Sequence, residues 1–401
     1  MDEIIGGEVI FPKISKPKRI TDKSKEHLHA TYYGISPFNK SQRYVAVLET
    51  TVQDYLPTLN DVATLLLIDL ETGESIPIAE TRAWNFQQGC MAHWLDENRI
   101  IYNDFREGKF VSIIKDINSG EEGIIPRPIS AVFPQKKIAL SINYARLRLA
   151  RPDYGYDGEG DNPRVDEPFP EDDGLFLIDL ESGKSDLLLS IFEAKEYLGV
   201  PPDIAFPALM RFEHTLFNKD GTRIFFLARV QKNGGEWHTA ALTVGVDGKD
   251  LRACFPSPWE WGGSHFDWLS EKELMVTARY KGKKWCPILF TDGKDDYRIL
   301  GKGLLDFDGH ATFSPDGKWM VIDRQPDELR LQSLFLMDMM TDAVLPIGNF
   351  LEPERFLNPQ IPPYWRCDLH PSWSPNGDMI VFNSTCEDTR QVYLLKLEAQ
   401  R

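Results

Sequence analysis

A short phrase recurs through this chain, and its recurrence limits what the chain can fold into. Near the end it reads His370-Pro371-Ser372-Trp373-Ser374-Pro375-Asn376-Gly377, followed by the apolar run Met379 to Phe382. It occurs earlier as His310-Ala311-Thr312-Phe313-Ser314-Pro315-Asp316-Gly317 and as His265-Phe266-Asp267-Trp268-Leu269-Ser270. A fourth copy is His214-Thr215-Leu216-Phe217-Asn218-Lys219-Asp220-Gly221. Four of the eight histidines thus share one slot, three residues before an aromatic and a turn. Proline fixes φ in that turn, and Asp-Gly or Asn-Gly supplies the positive φ of a tight hairpin. The apolar runs that follow have the length and β-branched content of strands.

Three further units carry Tyr32, Met91 and Ser130 in the same slot, which makes seven. Second strands end in turn text such as Asp69-Leu70-Glu71-Thr72-Gly73 and Asp179-Leu180-Glu181-Ser182-Gly183. Seven copies of four short strands predict an all-β, seven-bladed β-propeller with four-stranded antiparallel blades. A single domain over 1–401 is expected. An open ring leaves sheet edges exposed, so Glu8 to Phe11 is expected to close it against the last blade. The best helix signal is Ser190 to Leu198, between blades. The third unit carries a long insertion, 143–174, and loops of that length in compact domains are functional or disordered. Its Arg146, Arg148, Arg151, Tyr154 and Tyr156 suit contact with an anion or a sugar. The plain alternative is a surface flap tied by its own ion pairs.

Composition narrows the function classes. A net charge of -16 argues against nucleic acid as a general partner, though not against an anionic ligand at a local basic patch. No apolar run reaches membrane-spanning length. The N-terminus lacks a basic region followed by an apolar one, so a cytoplasmic location is expected. Cys90, Cys254, Cys286, Cys367 and Cys386 are odd in number and scattered, which fits a reduced compartment.

In a propeller the innermost strands line the axis, so equivalent positions form a ring near one mouth of the channel. At eight histidines in 401 residues, seven slots would hold about 0.14 by chance in a repeat protein. Converging imidazoles suit a divalent metal with open positions, or acid–base work at neutral pH. The structural alternative is a blade-initial histidine that hydrogen-bonds a neighbouring blade. His27, His29 and His93 fall out of phase, and His238 lies on another strand of its unit.

These residues resemble those of the oligogalacturonate lyases, most clearly from Trp261 to Lys396. Ser264-His265 before an aromatic is similar to that family's catalytic histidine segment. His310 matches a metal-ligand histidine, and Leu369-His370-Pro371-Ser372-Trp373 resembles a His-Pro-Ser-Phe segment whose histidine also binds metal. The resemblance implies an intracellular seven-bladed propeller that cleaves acidic pectin oligomers by β-elimination with bound Mn2+. It implies His265 as base, and His310, His370 and Asp368 as metal ligands with His214 as a fourth. There are departures. Asp368 stands where the family has a histidine, Trp365 where it has a ligand glutamine, and Ala240 near its catalytic arginine. His238 and Arg366 are the candidates to replace that arginine, with Arg146, Arg148 and Arg151 for carboxylate binding and Tyr154 and Tyr156 for sugar stacking.

β-Elimination needs the uronate carboxylate neutralised, which acidifies the C5 proton for the base. Two other readings stand beside it. A carbohydrate hydrolase would use facing carboxylates, for which Asp267, Asp308 and Asp368 lie near the slots. A non-catalytic TolB- or WD-like propeller would bind a protein or peptide.

Overall fold

The computed structural model describes residues 10–158, 162–201, 203–204, 209–233, 235–301, 303–356 and 366–398. Seven antiparallel sheets follow one another along the chain. The first blade spans Glu26–Thr81, the second His93–Ile125, the third Ala131–Ser190 and the fourth Arg211–Ala253. The fifth spans Phe266–Ile299, the sixth Ala311–Leu351, and the seventh begins at Ser372–Trp373. Six have four strands in simple meander order, and the seventh joins three such strands to two short ones from the N-terminus, which pair in succession along its outer edge. This is a seven-bladed β-propeller.

The recurring phrase performs the same local task in each copy. Gly317 and Gly377 adopt φ of +70° and +73°, and their N–H groups donate to the carbonyls of Ser314 and Ser374. The Ser314 hydroxyl accepts from Trp319 N at 3.0 Å, and the Ser374 hydroxyl accepts from Met379 N at 3.1 Å. Asn218 does this with its side-chain oxygen, accepting from Thr222 N and Arg223 N. The turn thereby satisfies the backbone N–H groups that enter the second strand.

Ring closure differs from expectation in its residues. Glu8 and Val9 lie outside the described residues. The closing strands are Lys13–Ile14 and Lys18–Arg19, both paired with Gln391–Glu398. Pro17 separates them because it has no N–H to donate to a ladder. Phe11 instead packs on Trp319, with ring centroids 5.5 Å apart. The expected helix is present as Ile191–Leu198, with Ser190 and Glu193 forming a capping box.

The insertion is ordered around one cation. Its first turn is a helix, Tyr144–Ala150, capped by the Asn143 side chain. Arg146 is 1% exposed and donates to the carbonyls of Met210, Pro163, Arg164, Glu167 and Pro168 at 2.7–3.1 Å. The expectation that Arg146 binds substrate is therefore corrected: its guanidinium hydrogens are committed to carbonyls of the loop's own backbone and of Met210 before the fourth blade. Tyr156 is corrected likewise. It is 1% exposed, stacked on Tyr144 at 4.3 Å and bonded to Asn103, so it offers no face to a sugar. Arg148 donates to Pro152 and Pro57 carbonyls and is a loop tie rather than a ligand residue.

Two tests follow from this packing. Arg146→Met leaves five carbonyls without their donor, so it should cost about 3 kcal/mol of stability and open 150–173 to limited proteolysis. The second concerns His93, which is buried and donates Nδ1–H to Met91 O at 2.7 Å. Burial pushes its pKa from 6.5 down to about 4. The unfolded chain takes up that proton first, so stability present above pH 6.5 is lost as pH falls towards 4. The loss should approach about 3 kcal/mol. His93→Gln should flatten that part of the pH profile of the melting temperature.

Candidate functional site

The equivalent slots do meet at the axis. Tyr32, Met91, Ser130 and His214 line one void of about 10 Å3, roughly the space of a single water. Beside it the imidazoles of His265 and His310 lie 3.9 Å apart by centroid, and those of His310 and His370 lie 4.1 Å apart. Tyr32 spans the group, 5.2 Å from both His214 and His370. Met91, His214 and His370 adopt positive φ, at 52°, 61° and 47°. Left-handed backbone costs a non-glycine residue about 1 kcal/mol or more. It is retained here at three of the seven slots.

His310, Asp368 and His370 form a compact donor set. One ligand atom from each lies within 4.8 Å of the others, and all three residues are buried. His310 Nδ1 bonds both Asp323 oxygens at 2.9 Å; burial works to lower its pKa, but Asp323 raises it above the ordinary value, and the neutral ring that a metal would require carries its lone pair on Nε2. That atom is 3.0 Å from His370 Nε2. Metal–nitrogen bonds of about 2.1 Å at right angles place two nitrogens about 3 Å apart, so the pair fits a shared ion. Two imidazoles and a carboxylate suit manganese or a neighbouring divalent metal. Asp323 also accepts the backbone N–H of His310 and of His370. A Cβ at Gly309 would sit 2.0 Å from Asp323 O, so glycine is what lets this loop approach.

Asp368 accepts from Gln325 Nε2 at 2.6 Å and from Arg366 Nε at 2.7 Å. Burial acts to raise its pKa, but Arg366, His310 and His370 hold it far below the usual carboxylate range. The carboxylate therefore stays charged at any working pH. His214 stands apart from this donor set, against the expectation of a fourth ligand. Its Nε2 is 3.3 Å from the Tyr32 hydroxyl, and its Nδ1 is 3.9 Å from Glu213 Oε2. Trp365 lies outside the described residues.

His265 forms a second dyad. Its Nδ1 is 2.8 Å from Asp308 Oδ1, and Thr277 Oγ1 donates to that oxygen at 2.7 Å. Burial works to raise Asp308, yet His265 and the hydrogen bonds hold it at about 2. An ionised Asp308 keeps the proton on Nδ1 and the lone pair on Nε2. Burial lowers the pKa of His265 more than Asp308 raises it, so the ring is neutral and able to accept a proton.

A cleft of about 480 Å3 is lined by His265 and Asp308, while His310, Asp368 and His370 are buried and do not line it. Arg151, Tyr154, His214, His265 and Arg366 all line it. Arg151 is paired with Asp153 at 3.1 Å and sits over the Tyr154 ring. Tyr154 is buried, with its ring 5.0 Å from His214, so it belongs to the cleft floor and is not a stacking platform. His238 is corrected. Trp237 and Thr239 line the cleft, while His238 alternates to the other face, 6.1 Å from Trp259. Asp267 is also removed as a candidate, since it accepts from Thr312 Oγ1 and Phe313 N and ties two blades together.

Several cleft residues escaped the sequence reading. Arg229 lines it and pairs across strands with Thr239, one residue from Ala240. It is ion-paired to Glu213 at 3.0 Å, and its Nε has no hydrogen-bond partner among the described residues. Arg211, 1% exposed, shares the same carboxylate at 3.5 Å. Gln325, Arg279, Glu236, Trp237 and Trp285 also line the walls. None of these occupies the repeating slot. Arg229 was recoverable only from strand register, which sets it beside the strand where an arginine was expected.

No protein-family model matches the chain, and no curated protein matches it in sequence. Solved structures match it in shape. The oligogalacturonate lyase of Vibrio parahaemolyticus aligns with a TM-score of 0.62 at 14% identity, over 97% of this chain and 98% of that one. An oligogalacturonate lyase in complex with manganese aligns at 0.63 and 14%, over the same shares. The β-propeller domain of the Trilobed protease from Pyrococcus furiosus aligns at 0.50 and 10%, over 93% and 97%. At such identities the likeness establishes the fold: this chain is a seven-bladed propeller of the shape that oligogalacturonate lyases and a protease domain share.

Proposed function

We propose that this protein is a lyase that cleaves uronate-containing oligosaccharides by metal-assisted β-elimination. The observation that carries this reading is the pairing of an oriented neutral base, which lines the cleft, with an adjacent buried metal-type donor set. His265 is fixed by Asp308, and its ring lies 3.9 Å from that of His310. The solved lyase found with manganese shares the fold, and the His/Asp donor set suits that ion.

The residues divide the work as follows. His310, His370 and Asp368 would hold the metal, which when bound supplies positive charge to the substrate carboxylate and so acidifies the C5 proton. Arg229 adds a second positive charge from the cleft wall. His265 Nε2 takes the C5 proton. The C5–H electron pair becomes the C4–C5 double bond, the C4–O bond breaks, and the departing oxygen takes a proton from water in the cleft. Asp308 receives no proton. It keeps His265 in the tautomer that leaves Nε2 free and stabilises the imidazolium that forms.

The chemistry of the carboxylates disfavours a hydrolase. A glycosidase needs one carboxyl in the cleft that stays protonated near neutral pH; Asp308 is held at about 2 and Asp368 lower still, and Glu352, pushed up to about 8 chiefly by burial, is not among the residues that line the cleft. A purely protein-binding propeller has no need of a buried imidazole cluster.

Three measurements test the proposal. Incubation with a panel of uronate oligosaccharides, with and without manganese, should produce the ultraviolet absorbance of an unsaturated uronate; no signal from any uronate sinks the reading. His265→Ala should lower kcat by about 100-fold or more while metal still binds in a titration. Loss of the metal instead would overturn the division of roles. Asp323→Asn should weaken metal binding about 10–100-fold, read by calorimetry.

A further inference from the structure

Asp368 and His370 project from backbone that belongs to no ladder. Residues 366–371 lie outside every helix and strand, and pairing in the seventh blade starts only at Ser372–Trp373. Cys367, Asp368, Leu369 and His370 are nevertheless at most 3% exposed. Buried peptide groups need partners, so other groups must do here what a ladder does elsewhere. Around His370 they come from the sixth and seventh blades. Asp323 takes the His370 N–H, and the Asn383 N–H donates to Leu369 O at 2.7 Å.

The two carbonyls before Asp368 are held by side chains from three separate parts of the ring. Gln332, on the third strand of the sixth blade, Leu331–Asp338, donates from Nε2 to Cys367 O at 2.6 Å. Gln87, in the connection between the first and second blades, donates from Nε2 to Arg366 O at 3.3 Å. Arg390, just before the last strand, donates from Nη1 to the same oxygen at 3.3 Å. All three are at most 2% exposed. Gln332 Oε1 has no hydrogen-bond partner among the described residues, and a half-satisfied buried amide is less stable than an apolar side chain of its size. The position therefore uses the donor end, and that donor serves one peptide. Gln87 is itself fixed: Asn85 Oδ1 accepts its N–H at 3.0 Å, and the Tyr154 hydroxyl donates to its Oε1 at 3.4 Å.

Aspartate has the shortest side chain of the three donors. It cannot make up for a displaced backbone by rotating, so its peptide must be placed before its oxygen can reach an ion. Resting on the donor set of the proposed function, we infer that Gln332, with Gln87 and Arg390, positions Asp368 by holding the Arg366 and Cys367 carbonyls, so that the carboxylate meets an ion shared with His310 and His370. These are positioning residues. They act through Asp368 and touch neither ion nor substrate.

The test is a double-mutant cycle, read by calorimetric titration of the metal-free protein with Mn2+ alone and with Zn2+ alone. Gln332→Met keeps the volume and removes the donor. It should weaken binding of either ion about tenfold. In the Asp368→Ala background, where Zn2+ still reports the two imidazoles, it should change affinity by less than about twofold. Gln87→Leu removes one of two donors to Arg366 O and should weaken binding about threefold, again only with Asp368 present; it carries the same cycle should Gln332→Met fail to fold. An equal loss in both backgrounds marks general support of the fold, and an unchanged affinity marks no role; either overturns the inference. Failure of the lyase reading looks different. Metal binding that depends on Gln332, with no unsaturated product from any uronate, sinks the lyase and leaves the positioning role standing. A protein that binds neither ion overturns the inference together with the donor set.

Discussion

Asp323 is the group on which the centre of this protein depends. Its carboxylate accepts the imidazole N–H of His310 and the backbone N–H groups of His310 and His370. One side chain of the sixth blade thus orients the imidazole of His310, holds the backbone of His370, and ties the sixth blade to the seventh. An anion so buried is tolerable only because these donors replace its water. The same donors leave His310 Nε2 facing His370 Nε2 at 3.0 Å, the feature from which a shared-ion site follows.

The surroundings obey the same rule of paired burial. Tyr33 crosses the axis and exchanges hydrogen bonds with the backbone of Phe266, at 2.7 Å from its N–H and 3.2 Å to its carbonyl. It packs against His310 and His265, with centroids 5.0 and 5.7 Å away. Tyr32 and Tyr33 pack together beside the imidazoles, and of this centre His265 and Asp308 are the residues that line the cleft. Nearer the cleft, Arg211 and Arg229 share the single carboxylate of Glu213. That local excess of positive charge lies in a chain of net charge -16. The cleft lining itself sets Arg151, Arg229, Arg279 and Arg366 against Glu236 and Asp308, and three of those arginines are paired with carboxylates beside it.

Much of this was legible in residue order. The phased His-x-x-aromatic text located His265, His310 and His370 because a repeat converts sequence phase into spatial convergence. The turn chemistry of Ser314 to Gly317 and Ser374 to Gly377 marked the strand pairs. The insertion was misread in large part. Arg146 and Tyr156 look like ligand residues by type, but whether a guanidinium meets a sugar or its own loop depends on where the chain doubles back. His238 failed for a related reason: counting along a strand cannot tell which face looks into a cleft until the register with Arg229 and Thr239 is known.

What the sequence by itself determined is the architecture and the meeting of blade-initial side chains at one mouth, since both follow from periodicity and turn stereochemistry, which are local. Only the tertiary structure decided which of those side chains act together. The separation of His214 from the His310, Asp368 and His370 set, the pairing of His265 with Asp308, and the arrival of Arg229 and Gln325 from neighbouring strands all rest on contacts between residues distant in sequence. Those contacts are set by strand register, by positive φ at His214 and His370, and by the need to pair every buried charge, none of which can be read from spacing.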